Sequence, residues 1–213
     1  MNKYRGRSHR VTHPKLFVFS HTQKAEIEYF QEFKLYLQSS QLVPHRKIQR
    51  RPQQLIEKVI DWKKKEGICE DDRDQVWCVF DVDEFYKLDS AGFLKGINSA
   101  HKHGIKIAYA NECFELWILL HLKKITVPPN KRSDYETEIG KAFKKAGLGT
   151  FQKNQKCFDE ILKYQQDAIK NAKDLIGLKS YDEINWQIAL SPKGNPSTSI
   201  HLLIEEIFRI HGL

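Results

Sequence analysis

The chain has 213 residues, of which 40% are hydrophobic, 29% charged and 11% aromatic, a balance that suits one globular domain with a sizeable core and excludes a disordered chain. No apolar run approaches the roughly 18 residues of a transmembrane helix, and the basic N-terminus is not followed by an apolar stretch with a small-residue cleavage site, so no membrane span and a cytoplasmic location are expected. The formal net charge of +8 calls for an anionic partner, with nucleic acid the first candidate.

Residues 1–14 read as a basic N-terminal arm: Lys3, Arg5, Arg7 and Arg10, then Lys15 and Lys24, all precede the first acidic residue, Glu26. A second basic cluster follows at Arg46, Lys47, Arg50 and Arg51. Arg5, Arg7, Arg10, Arg46, Lys47, Arg50 and Arg51 are the expected nucleic-acid contacts, since such arms neutralise phosphates; the alternative is a solvated tail that aids solubility. Between the clusters, Leu16–Ser20 is a strand and 24–37 a helix, with Ile27, Phe30, Phe33 and Leu37 at helical spacing. Leu42 and Val43 begin a second strand. Pro52 opens a helix through Leu55, Ile56, Val59, Ile60 and Trp62, and Gly67 closes it.

After an acidic loop at 70–74, residues 76–81 form an apolar run that reads as a strand buried on both faces. A helix over 91–103 stops at Gly104, and 105–110 is another strand. Asn111 stands as the N-cap of a short apolar helix over 112–121. Beyond Pro128-Pro129 the pattern changes to amphipathic helices over 134–145 and 155–176 without strands. The expected architecture is an α/β core at 15–124, a Rossmann-like parallel sheet flanked by helices, with a helical insertion at 125–190. Residues 191–213 follow as a turn at Asn195-Pro196-Ser197-Thr198 and a helix, with Ile200, Leu203, Ile204, Ile207 and Ile210 on one face, packing on the core. Cys69, Cys78, Cys113 and Cys157 form no CxxC pair, so neither a zinc knuckle nor a disulfide framework is indicated.

The candidate chemistry lies at Phe80-Asp81-Val82-Asp83, where a buried strand delivers two carboxylates at its carboxyl end, the usual ligand crevice of open α/β sheets. Paired carboxylates are hard oxygen donors suited to Mg²⁺ or Mn²⁺, and such an ion can stabilise phosphoryl charge. Haloacid dehalogenase phosphatases, sugar-nucleotide transferases and Toprim nucleases all use a DxD of this kind. The dehalogenase reading needs Thr or Val two residues after Asp83, where Phe85 stands. A solvated acidic strand end is the plain alternative.

Several separated pieces resemble the RloB family: Lys24-Ala25-Glu26-Ile27-Glu28-Tyr29-Phe30, the Asp81/Asp83 strand end, and Asn111-Glu112-Cys113-Phe114-Glu115-Leu116-Trp117 with Leu120-His121 behind it. Ala168-Ile169-Lys170-Asn171-Ala172-Lys173 and Asn195-Pro196-Ser197-Thr198 belong to the same pattern. The resemblance implies a Toprim-like fold and a metal-dependent nuclease effector of bacterial anti-phage or abortive-infection loci, working with an ABC-type ATPase on RNA, including transfer RNA, or DNA. It leaves a homo-oligomer open.

Carried over, Asp81 and Asp83 match the metal-binding Toprim pair. The Glu-Gly expected after the first strand falls on His21 and Thr22, and the threonine of the family's Thr-Glu pair is Ala25. His21 can ligate a metal or act as a general base, with a preference for Mn²⁺ over Mg²⁺. Glu115 could supply the carboxylate that His21 lacks, and Asn111 could reach the same crevice in support. The resulting candidates are His21, Asp81, Asp83 and Glu115 for catalysis, with a catalytically degenerate module that binds nucleic acid or the ATPase as the alternative.

Overall fold

Residues 75–81 and 105–111 carry no continuous polar face: the first run is buried from Val76 onward and the second everywhere except Lys106. Such strands are stable only inside a sheet covered on both sides. The computed structural model, which describes residues 14–21, 25–46, 51–68, 73–83, 85–129, 131–152, 156–177 and 180–213, contains that sheet. In chain order the elements are β1 (Leu16–Ser20), α1 (Ala25–Tyr36), β2 (Leu42–Arg46), α2 (Pro52–Glu66), β3 (Gln75–Asp81), α3 (Phe85–Leu88), α4 (Ser90–Lys102), β4 (Ile105–Asn111) and α5 (Glu115–Leu120). They continue with α6 (Arg132–Lys145), α7 (Phe158–Ile161), α8 (Gln165–Ile176), α9 (Trp186–Ala189), β5 (Ser197–Thr198) and α10 (Ile200–His211).

The strand order is β2-β1-β3-β4-β5. The first four strands run parallel, and β5 pairs antiparallel with β4. The α/β expectation therefore holds at the level of a mostly parallel sheet flanked by helices. Period-two alternation along β3 sends Val76, Cys78 and Phe80 to the face covered by α2 and α4, and Trp77 and Val79 to the face covered by α1, α5, α6, α8 and α10. Helices α6, α7 and α8 of the 125–190 segment thus share one continuous apolar core with α1, α5 and α10, while Ile184, Ala189 and Leu190 pack on the opposite face with α2 and α4. Among the described residues no helix is long and apolar enough to cross a membrane.

The β2 edge, and the part of β4 that the two-residue β5 leaves uncovered, are both protected from edge pairing. β2 carries Pro44, which has no N–H to offer. On β4, the Ile107 N–H donates to Tyr181 Oη (2.8 Å), the Tyr109 N–H donates to Ser199 Oγ (3.1 Å), and Thr198 Oγ1 donates to the Tyr109 carbonyl (2.7 Å). The Asn195–Thr198 segment, read from sequence as a turn and cap, is therefore also an edge cover, and Thr198 Oγ1 accepts from the Ile200 N–H at the start of α10.

Two local expectations are corrected. Asn111 does not cap a helix. It is the last residue of β4, and α5 begins only at Glu115, because the Asn111 Nδ2 donates to the carbonyls of Ala189 and Ser191, both at 2.9 Å. The single helix expected over 155–176 is interrupted by a 3-10 turn at Leu162–Tyr164, although Phe158, Ile161, Gln165, Ala168, Ile169 and Ala172 keep helical spacing across it. Apolar spacing reports which face is buried and is blind to a local tightening of the hydrogen bonds.

Asn111→Ala removes two buried hydrogen bonds that tie the end of β4 to Ala189 and Ser191, whose carbonyls keep only Ser197 Oγ and the Gly194 N–H as donors, and should destabilise the fold by about 2 kcal/mol in urea denaturation. An unchanged midpoint would show that Asn111 does not tie α9 to the sheet.

Candidate active site at the carboxyl end of the sheet

The alternation that turns Trp77 and Val79 toward α1 turns Asp81 the same way, and the carboxylate ends up 2% exposed. Beyond β3 the chain stays on β4 for two more residues, with Val82 N–H donating to the Ala110 carbonyl (2.9 Å) and Asp83 N–H to the Glu112 carbonyl (3.0 Å). Asp83 then turns with φ +45°, a left-handed conformation that Asp tolerates better than most residues.

Three elements bring charged side chains onto this strand end. The buried positions of the first two turns of α1 are Glu26, Tyr29, Phe30 and Phe33 along with Ile27, so a glutamate heads the i, i+3, i+4, i+7 stripe that faces the sheet. Among the described residues, neither Glu26 carboxyl oxygen has a hydrogen-bond partner. Glu115 opens α5, and its Oε2 is likewise buried without a partner. Arg132 opens α6 and spreads its fork over two carboxylates: Nη2 lies 2.8 Å from Asp81 Oδ2 and Nη1 contacts Asp83 Oδ2. Asp81 Oδ1 remains without a donor.

Four carboxyl groups thus face one guanidinium where water is largely excluded, and they cannot all ionise cheaply. Burial, then the charges of Asp81 and Glu115, push Glu26 well above the usual carboxylate range. Burial also raises Asp81; Arg132 pulls it back and Glu115 and Asp83 push further, leaving it at about 7. Burial works against the Arg132 charge, yet the carboxylates led by Asp81 raise it overall. His21 is buried, with ring centroids of Phe80 and Phe85 at 6.5 and 6.0 Å. Burial and the charge of Arg132 lower it to about 4, so it is a neutral imidazole at neutral pH. In that form it can accept a proton weakly and has none to release as an acid.

Of the residues singled out from sequence, Asp81 and Asp83 contact Arg132, and Glu115 and His21 lie near enough to interact with its charge. Asn111 is spent on Ala189 and Ser191. Arg51 is exposed before α2, and Arg46 ends β2; Arg5, Arg7, Arg10, Lys47 and Arg50 lie outside the described residues. Sequence reasoning passed over Glu26 and Arg132. Glu26 carried a signal, a glutamate in the core-facing stripe of an amphipathic helix. Arg132 carried none, since its partner Asp81 is 51 residues away.

Among the described residues, no three His, Cys, Asp or Glu side chains close up as metal ligands do; the cation on Asp81 and Asp83 is Arg132. The donor chemistry still suits a hard divalent ion, because Glu26, Asp81 and Glu115 present buried oxygens that no donor satisfies. The adjoining cavities are small. One of about 50 Å³ runs from Glu115 between Tyr29, Phe151 and Phe158, and one of about 40 Å³ lies beside Asp83. Neither encloses a nucleotide, for which sites of at least roughly 300 Å³ are usual.

A carboxyl whose pKa is higher folded than unfolded favours folding below its unfolded pKa and loses that contribution as pH rises toward the folded one. Glu26 and Asp81 have this sign. His21, His121 and His201, each lowered to about 4 mainly by burial, have the opposite one, losing their contribution as pH falls. A variant-minus-parent difference separates the two. Glu26→Gln should gain stability on the parent as pH rises above the ordinary glutamate pKa of about 4.3, by up to about 1.4 kcal/mol per unit while Glu26 stays protonated in the fold. Urea denaturation over that rise in pH checks it, and a constant difference would mean that Glu26 is ionised.

The family model described as RloB: RloB-like protein matches residues 16–207, a span that takes in Glu26, Asp81, Asp83, Glu115 and Arg132. Comparisons with curated proteins and with solved structures found no match. From β1 into α10, the chain belongs to the RloB-like protein family.

Proposed function

We propose that this chain is a Toprim-type, metal-dependent phosphodiesterase acting on nucleic acid. The observation that carries the reading is the set of buried carboxyl oxygens of Glu26, Asp81 and Glu115 left without donors at the carboxyl end of a parallel sheet. Burying such groups is costly unless something answers them, so their retention on three separate elements points to a cation.

Asp81, Asp83 and Glu26 would hold Mg²⁺ or Mn²⁺, with Glu115 beside them. When bound, the ion supplies charge stabilisation at phosphorus and a more acidic water. Glu26, whose affinity for a proton is raised by burial and by its carboxylate neighbours, can release a proton as the ion arrives and take one back as it leaves, and the neutral imidazole of His21 can accept one. Because the adjoining cavities are too small for a nucleotide, the substrate strand would lie across the mouth of the site, with its phosphates toward exposed bases such as Arg51. Such contacts fix position and carry no sequence preference, so RNA and DNA both remain substrates of the proposal. An ABC-type ATPase partner and an anti-phage role belong to the same proposal and rest on the family resemblance.

A second reading, a binding module without catalysis, draws on one observation: Arg132 already sits on Asp81 and Asp83. Transfer RNA, other RNA, single-stranded DNA and plasmid, incubated with the pure chain in Mg²⁺ and in Mn²⁺, alone and with an ABC-type ATPase from the same locus, separate the two. Chelator-sensitive cleavage is expected, and Asp81→Asn should lower it by more than the roughly 10–100-fold seen when a group behind a metal ligand is removed. Intact nucleic-acid binding with no cleavage under any condition would overturn the enzyme reading in favour of the module.

A further inference from the structure

We propose that Arg132 is an exchangeable internal cation. It occupies the Asp81/Asp83 pair when no divalent ion is bound, and it must leave for the ion to enter. The inference rests on the reading that these carboxylates bind a divalent metal, and it adds the regulation of that step.

The guanidinium takes one oxygen from each of two different carboxylates, so it bridges the pair instead of closing a bidentate fork on either residue. A metal held by the pair needs those same oxygens. The match is partial: Asp81 Oδ1, both oxygens of Glu26 and Glu115 Oε2 stay unanswered. A planar group with one charge has no reach to them, whereas a compact ion with two charges offers more to a site with surplus negative charge. Arginine cannot vacate by losing its proton. The exchange therefore has to be a movement.

The local structure permits one. Arg132 is the first residue of α6, preceded by an extended Lys131 that caps the helix without a side-chain hydrogen bond. Its side chain is 42% exposed while that of Asp81 is 3% exposed, so the guanidinium lies between the buried carboxylate and solvent. Side-chain rotation alone can carry it outward, leaving α6 anchored by the buried Tyr135, Ile139, Ala142 and Phe143.

Mn²⁺ binding to the full chain, followed by the loss of the free-ion paramagnetic resonance signal without any substrate, tests the exchange in the parent, Arg132→Ala, Arg132→Lys and Asp81→Asn, with thermal melts on the same samples. Arg132→Ala should bind Mn²⁺ roughly 10- to 100-fold more tightly than the parent, the factor that follows if Arg132 leaves the pair free in about 1–10% of molecules. Arg132→Lys, which keeps the charge but cannot bridge both carboxylates, should fall between them. Equal affinity in the parent and Arg132→Ala, with binding lost in Asp81→Asn, would overturn the exchange and leave the metal site standing. No binding in the parent or either Arg132 variant would overturn both. If Arg132→Ala does not fold, Arg132→Lys decides: tighter binding than the parent supports the exchange, and unchanged binding overturns it.

Discussion

A surplus of buried negative charge is the constraint that organises the carboxyl end of the sheet. Asp81 is brought there by strand alternation, Glu26 by the core-facing stripe of α1, and Glu115 by the first turn of α5. Arg132 compensates only part of that charge, and protons supply part of the remainder, which is why Glu26 and Asp81 both hold protons far more readily than exposed carboxylic acids. Only the Asp81 end of these ion pairs is buried, with Arg132 on the solvent side, so the pairs are weak evidence for stability. The other buried positions of the described residues are overwhelmingly apolar, which sets the cluster apart.

The remainder of the fold holds that cluster in place. Val79 and Trp77, one and two pleats before Asp81 on the same face, pack into the apolar core shared by α1, α5, α6, α8 and α10, so the strand cannot slip without exposing them. Helices α6, α7 and α8 complete the apolar core on the face where α5 and α10 cover β4, and through Arg132 the segment also contributes the cation. The Asn195–Ser199 segment closes the β4 edge with hydroxyls, while Asn111 fastens the strand end to Ala189 and Ser191. The acidic crevice is consequently built on regular elements and has little freedom to relax its charge by moving away.

Periodicity exposed most of the scaffold. Strands β1, β3 and β4 and helices α1, α2, α4, α6 and α10 could all be read from apolar spacing with Pro and Gly punctuation, because those signals arise from local geometry and the need to bury one face. Pro52 at the start of α2 and the left-handed Gly67 at its end are examples. One error was the 3-10 turn at Leu162–Tyr164, which apolar spacing does not register, and the other came where a side chain chose a distant partner over a local one. Asn111 has the chemistry of an N-cap, yet two carbonyls some 80 residues away claim its amide. The candidate site was half legible: Asp81 and Asp83 stand out as carboxylates ending an apolar strand, and His21 was noticed as a departure from the family pattern.

By itself the amino-acid sequence determined the α/β class, the buried central strand and the presence of paired acids at its end, all consequences of spacing within single segments. Only the tertiary structure decided that Glu26 joins Asp81 and that His21 is held as a neutral imidazole. It also decided that Arg132, from a helix 51 residues along the chain from Asp81, lies across both aspartates. Burial and Coulomb interaction depend on distances in space, and no local pattern along the chain encodes the separation of residues that meet only when the sheet and its covering helices have closed.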